Sequence, residues 1–137
     1  MLDDADIDAA AQAIVSGAML GSGQVCIGTE RAIVQRGVSQ QLIDRLKDIT
    51  SEMTAGDPAA GAQIGCVFSA ASAENIISMV SEAVEEGSQL LVGDLKASGA
   101  FVQPHVVVGA KPGQKVWDKE TFGPGEPSFA EFSSGLE

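Results

Sequence analysis

Apolar residues recur at helical spacing through the first twenty positions: Ile7, Ala10, Ala11, Ile14, Val15, Ala18 and Met19 share one face. This spacing predicts a helix over residues 5–20. Asp3, Asp4 and Asp6 stand where an N-cap and the positive end of the helix dipole favour carboxylates, and Gly21 and Gly23 stop the helix. The run "RAIVQ" (31–35) is short and β-branched, which predicts a buried strand, with Arg36-Gly37 turning the chain after it. Ser39 is placed to cap a second helix whose face is Leu42, Ile43, Leu46, Ile49 and Met53. That helix is expected to end at Ala55-Gly56, because Asp57-Pro58 forbids continuation. Residues 59–65 read as a loop. Ile76, Ile77, Val80, Ala83 and Val84 predict a third helix over 72–86, closed by Gly87. "QLLVG" (89–93) and "AFVQPHVVV" (100–108) read as strands, the second needing an edge or a bulge at Pro104. "PSFAEF" (127–132) alternates weakly and makes a last strand.

The order is helix, strand, helix, helix, strand, strand, strand. Helices interleaved with strands imply an α/β fold: three main helices packed on a mostly parallel sheet. The length of 137 residues suits a single domain spanning 1–137. Apolar residues make up 45%, too many for a chain disordered throughout. A net charge of −11 argues against nucleic acid and against anionic membrane surfaces as partners. No apolar run approaches the ~20 residues of a membrane-spanning helix. The acidic start "MLDDADIDAA" lacks the basic segment and apolar core of a signal peptide, so a cytoplasmic, reducing compartment is expected. Leu136-Glu137 is given no functional weight.

The candidate chemistry is sparse. Cys26 and Cys66 are far apart in sequence, and His105 is the one histidine, so neither a disulfide framework nor a zinc site is expected. Cys26 follows a glycine-rich turn in "GSGQVC". A thiolate attacks carbonyl carbon well, and backbone N–H groups after such a turn can hold the oxyanion that forms. Cys66 has apolar neighbours in "IGCVF" and reads as core. His105 reads as structural or solvent-facing, Trp117 as the cover of a core edge, and Arg31 as the partner of a nearby acid.

The order of several short motifs adds more. "GQVC" is followed by "IGTER", "AGDP", "IGCVFS", "EAVEEGSQLLVGD", "AFVQPHVV" and "DKETFGP" (118–124). This succession resembles the aldehyde dehydrogenase superfamily over nearly the whole chain, most of all its salicylaldehyde dehydrogenase-like branch. The resemblance implies a partial aldehyde dehydrogenase catalytic-domain fold. It implies that Cys26 is the nucleophile, attacking an aldehyde to give a thiohemiacetal, with hydride leaving to NAD(P) and water hydrolysing the thioester. It implies that the Cys26 N–H supplies half of the oxyanion hole. Glu120 would hold the nicotinamide ribose and Phe122 would pack against the cofactor. The resemblance also places the glutamate base, the oxyanion-hole asparagine and the cofactor domain outside these residues, and no glycine-rich pyrophosphate turn occurs in the sequence. Two departures stand out: Gly21 where the family often has Asn, and "GEPS", with Glu126 and Pro127, where an apolar stretch is usual.

The expectation is therefore a truncated catalytic domain without an NAD-binding domain, holding no cofactor by itself although NAD(P) is implied by the family. Its expected function is non-redox chemistry of an isomerase or cyclase type, on a small carbonyl or polyene metabolite, with Cys26 as the inherited nucleophile. Two alternatives stay open: NAD(P)-dependent aldehyde oxidation within a larger assembly, and a non-catalytic pseudoenzyme or interaction module. Faces that the family buries would be open, which favours a homo-oligomer.

Overall fold

Asp6 opens the first helix: its carboxylate accepts from the Ala9 N–H at 3.0 Å, and α1 runs Ile7–Met19. The computed structural model describes residues 1–132, with 126–132 described by backbone alone. Leu136-Glu137 therefore lies outside the described residues. Ala11, Val15 and Met19 of α1 pack with Ala32 and Val34 of β1 (Arg31–Gln35) and with Val38, Leu42 and Leu46 of α2 (Arg36–Ser51). Ile64, from the following loop, completes this first core.

Several local expectations give way to tertiary structure. Strand β1 alternates buried and exposed positions, so it is buried on one face only, with Ile33 56% exposed on the other. Arg36-Gly37 does not turn the chain, because α2 begins directly at Arg36. Ser39 is no cap; its hydroxyl donates to the Arg36 carbonyl at 3.0 Å inside the first turn. The helix ends at Ser51, earlier than Ala55, because side-chain amides satisfy the next backbone groups. Thr54 N–H donates to Gln63 Oε1 at 3.1 Å and Ala55 N–H to Gln103 Oε1 at 3.0 Å. The third helix, α3 (Ala70–Glu85), begins two residues before the expected start at 72, because Ser69 caps it, accepting from the Ser72 N–H at 3.1 Å.

The single strand expected over 100–108 is two. Pro104 has no N–H to donate, and the chain breaks there. Phe101–Val102 (β4) pairs with Ala97–Ser98 (β3) in a small antiparallel ribbon, while His105–Val108 (β5) joins the main sheet. A short helix α4, Lys115–Asp118, was not signalled by any periodicity. Half-buried Trp117 in α4 packs on Met79, Ala83, Ala110 and Val116. The main sheet has the order β1-β6-β5-β2, where β2 is Gln89–Val92 and β6 is Gly125–Phe132. The β1–β6 and β6–β5 pairs are parallel, and β2–β5 is antiparallel. The sheet is mostly parallel, as the alternation of elements implies.

This topology places the site. Two segments that enter neighbouring parallel strands from their N-terminal ends must lie at the same end of the sheet. Strand β1 is entered from the loop carrying Cys26, and β6 from the loop carrying Glu120 and Phe122.

His105, first in β5, is 1% exposed. Its Nε2 lies 2.7 Å from the Asp94 carbonyl oxygen, which can only accept, so Nε2 carries a hydrogen. Burial holds its pKa below the ordinary value of 6.5, against the opposing pull of the Asp94 carbonyl and charge. The unfolded chain therefore binds the proton first. Stability is full above the ordinary value and falls as pH drops from there through the folded value. Urea unfolding between about pH 7.5 and pH 5 should show a falling midpoint that His105→Gln flattens; an equal slope in both proteins would refute this assignment.

Candidate active site

The turn that ends α1 is strained. Gly21, Ser22 and Gly23 occupy the left-handed region in succession, at φ 59°, 61° and 75°. Ser22 is buried there without the freedom of glycine. The chain then rises to Cys26, which occupies a tight turn closed by the Gly28 N–H on the Val25 carbonyl at 2.8 Å. It returns to the body of the protein where the Thr29 N–H donates to Gly17 of α1 at 3.1 Å. Cys26 is exposed at the tip, beside Ile27, which is 94% exposed.

The second loop carries Glu120, Thr121 and Phe122. Phe122 is a non-glycine residue with φ 50°, and its side chain is 41% exposed. An aromatic held in that conformation and left open to solvent is a functional candidate on strain alone. The two loops touch through backbone. A Cβ on Gly23 would overlap the Gly123 carbonyl, and one on Gly123 would meet Ile76 Cδ1 of α3 at 2.6 Å. Only glycine at both positions permits so close an approach.

Glu30 ties the same loops by side chain. Its carboxylate accepts from the N–H and hydroxyl of Thr121, and Arg31 lies near it. Burial raises the Glu30 pKa above the usual carboxylate range; the Thr121 N–H opposes this, and the neighbouring Glu120 charge adds to it. Arg31 also reaches the Trp117 carbonyl through Nη1 at 2.8 Å, fastening the start of β1 to α4.

Between the loops and the start of α3 lies an open cleft of about 540 Å³, lined by Glu120, Thr121 and Phe122 from one side. Gln24 and Phe68 line it from another, and Ala71, Ser72 and Asn75 come from α3. Glu120 is thus a wall of the cleft as well as an exposed carboxylate. Cys26 itself is not among the lining residues; it stands two positions beyond Gln24. Cys66 is exposed, which corrects its placement in the core: Ile64 and Val67 take the buried positions on either side. His105 lies in the sheet, away from the cleft lining. Among the described residues no three His, Cys, Asp or Glu side chains cluster as a metal site would require.

Of the residues singled out from sequence, Glu120 and Phe122 line the cleft and Cys26 does not; Gln24, Ser72 and Asn75 of the lining, and Glu30 between the loops, were not singled out. Gln24 and Glu30 lay within the quoted motifs, but their partners are remote in sequence. Ser72 and Asn75, spaced i, i+3 at the helix start, share one face, and that spacing was the available signal.

The aldehyde dehydrogenase family model matches residues 1–125 of this chain. Salicylaldehyde dehydrogenase of Pseudomonas putida is 36% identical over 126 residues, covering 90% of this chain and 26% of that protein. Lactaldehyde dehydrogenase of Escherichia coli (strain K12) is 34% identical over 134 residues, covering 95% and 28%. The crystal structure of a salicylaldehyde dehydrogenase from Pseudomonas putida G7, complexed with salicylaldehyde, superposes with a TM-score of 0.89 at 31% identity, over 98% of this chain and 28% of that one. The NADP complex of an NADP-dependent glyceraldehyde-3-phosphate dehydrogenase from Bacillus halodurans C-125 gives 0.87 at 36% identity, over 94% and 27%. The chain spans about a quarter of the length of the relatives it matches, 26% for the salicylaldehyde dehydrogenase.

The glycine contact between the loops has a direct test. Gly23→Ala should cost on the order of 2 kcal/mol in urea unfolding, since both φ and the Gly123 carbonyl oppose it. Gly21→Ala also has a positive φ, but its Cβ meets only the Val25 Cγ2 methyl at 3.4 Å, so its cost should be clearly smaller. Equal costs would show that the loops are not in contact at Gly23.

Proposed function

The chain belongs to the aldehyde dehydrogenase family, and from that premise we propose that it supplies the nucleophile and one wall of the nicotinamide site to an NAD(P)-dependent aldehyde dehydrogenase assembly. One observation carries the reading: the Cys26 loop and the Glu120–Phe122 loop converge, glycine against glycine, beside a single cleft.

The cleft suits the hydroxyl-rich part of such a cofactor. Its polar lining is one carboxylate (Glu120), the amides of Gln24 and Asn75, and the hydroxyls of Ser72 and Thr121. An exposed carboxylate is an acceptor for ribose hydroxyls, and the open face of Phe122 offers an apolar surface to a planar ring. Glu120 and Phe122 are the residues that would hold the cofactor. When bound, the cofactor supplies the acceptor for the substrate hydride.

The chain's own part is the addition step. The Cys26 sulfur, as thiolate, forms a bond to the aldehyde carbon, and the carbonyl π pair moves onto oxygen. The backbone N–H of Cys26 meets that oxyanion, so charge develops beside a fixed dipole rather than in bulk water. Glu30, engaged by Thr121, ties the Cys26 loop to the Glu120–Phe122 loop. The thiol proton goes to a base supplied from outside these residues, as the family resemblance implies. Among the described residues no feature of the fold or the cleft favours the non-redox isomerase or cyclase chemistry expected of a truncated domain that keeps both motifs, and aldehyde chemistry takes its place. The substrate class is a small aldehyde; the aromatic aldehyde of the salicylaldehyde dehydrogenase relative is the natural first probe.

Salicylaldehyde labelled with ¹³C at the carbonyl should give a protein-bound tetrahedral carbon signal in NMR. Cys26→Ser should reduce the adduct at least about tenfold, and Cys66→Ser should leave it in place. An adduct of equal intensity in Cys26→Ser, or none in the unaltered chain, would remove the proposed role.

A further inference from the structure

Gln24 stands between the strained turn and Cys26, and its side chain is engaged at both ends. Its Nε2 donates to the Gly21 carbonyl at 3.2 Å, the same oxygen that its own backbone N–H reaches at 3.2 Å. Nε2 also donates to the Cys66 carbonyl at 3.4 Å, while Oε1 accepts from the Phe68 N–H at 2.7 Å. One amide therefore meets an acceptor and a donor two residues apart on the 66–68 segment, as a neighbouring strand would. That segment is anchored on its other side: the Val67 N–H donates to the Ala100 carbonyl at 2.8 Å, and Val67 is 2% exposed, packed with Ala73, Ile76 and Val102. Phe68, by contrast, is 90% exposed, so its own side chain does little to hold the segment.

These contacts act on a turn that needs holding. Ser22, a non-glycine residue held in the left-handed region between two glycines, persists there only where the surroundings fix it. Gln24 braces the Gly21 carbonyl inside that turn and joins it to a segment built into the other half of the protein. We propose that Gln24 is a positioning residue for Cys26: its side-chain amide locks the nucleophile loop to the 66–68 segment and thereby sets the placement of the thiol beside the cleft. The consequence for catalysis rests on Cys26 as the nucleophile; the tether itself does not.

The test compares Gln24→Met, which keeps size and loses both bonding functions, with Gln24→Glu, whose carboxylate still accepts from Phe68. Three quantities are read: amide exchange at Phe68, the ratio of Cys26 to Cys66 alkylation in an iodoacetamide pulse, and the urea midpoint. Gln24→Met should speed Phe68 exchange about tenfold and shift the alkylation ratio by at least about threefold. Gln24→Glu should keep the Phe68 protection. An unchanged ratio or unchanged exchange in Gln24→Met overturns the proposal, as does a lowered urea midpoint with an unmoved ratio, the signature of a merely structural role. Should Gln24→Met fail to fold, Gln24→Glu decides: retained Phe68 protection supports the tether and lost protection overturns it. None of these readouts uses an aldehyde, so a missing adduct at Cys26 would leave the result intact.

Discussion

The close approach of two backbones, at Gly23 and Gly123, is the contact on which the rest of the site depends. It follows from the parallel pairing of β1 with β6, which brings the loops that precede both strands to one end of the sheet. Once there, a single added methyl at Gly23 would force them apart. Glu30 closes the same gap with a carboxylate on Thr121, and Arg31 reaches the Trp117 carbonyl just upstream. The strain visible at Ser22 and Phe122 sits on either side of this contact. Backbone strain on both sides of one tight contact marks the place as a functional candidate, because such conformations persist only where the surroundings fix them.

Much of the first half of the fold was legible from periodicity. The spacing of α1 and the run "RAIVQ" located their elements because both obey local rules: a 3.6-residue stripe with an aspartate cap, and a short β-branched run between turns. Local rules failed where remote partners decided. Ser39 looked like a cap, yet α2 grows straight out of β1. The end of α2 depends on Gln63 and Gln103, neither of which is visible from the helix itself. Pro104 was correctly seen as a problem for one strand, but that its two sides belong to different sheets is a matter of topology.

The site divides in the same way. Cys26, Glu120 and Phe122 stood out because they lie in motifs whose order resembles a known family. Gln24 and Glu30 lie inside the same motifs but take their places from partners remote in sequence, and the i, i+3 spacing of Ser72 and Asn75 was the one local signal for the face they line. Cys66 shows the reverse error. Apolar neighbours suggested burial, yet Ile64 and Val67 claim the core while Cys66 is left exposed. In the role proposed for Cys26, exposure is an asset only if its loop is held, so the contacts that fasten the loop matter as much as the sulfur.

The central claim, that the Cys26 loop and the Glu120–Phe122 loop form one site, is tested most directly by a distance measurement in solution. A nitroxide attached to Cys26 in a Cys66→Ser background should broaden the amide signals of Thr121, Phe122 and Ser72 as strongly as those of its own loop. Broadening confined to residues 22–30, with the signals of Thr121 and Phe122 untouched, would contradict the account.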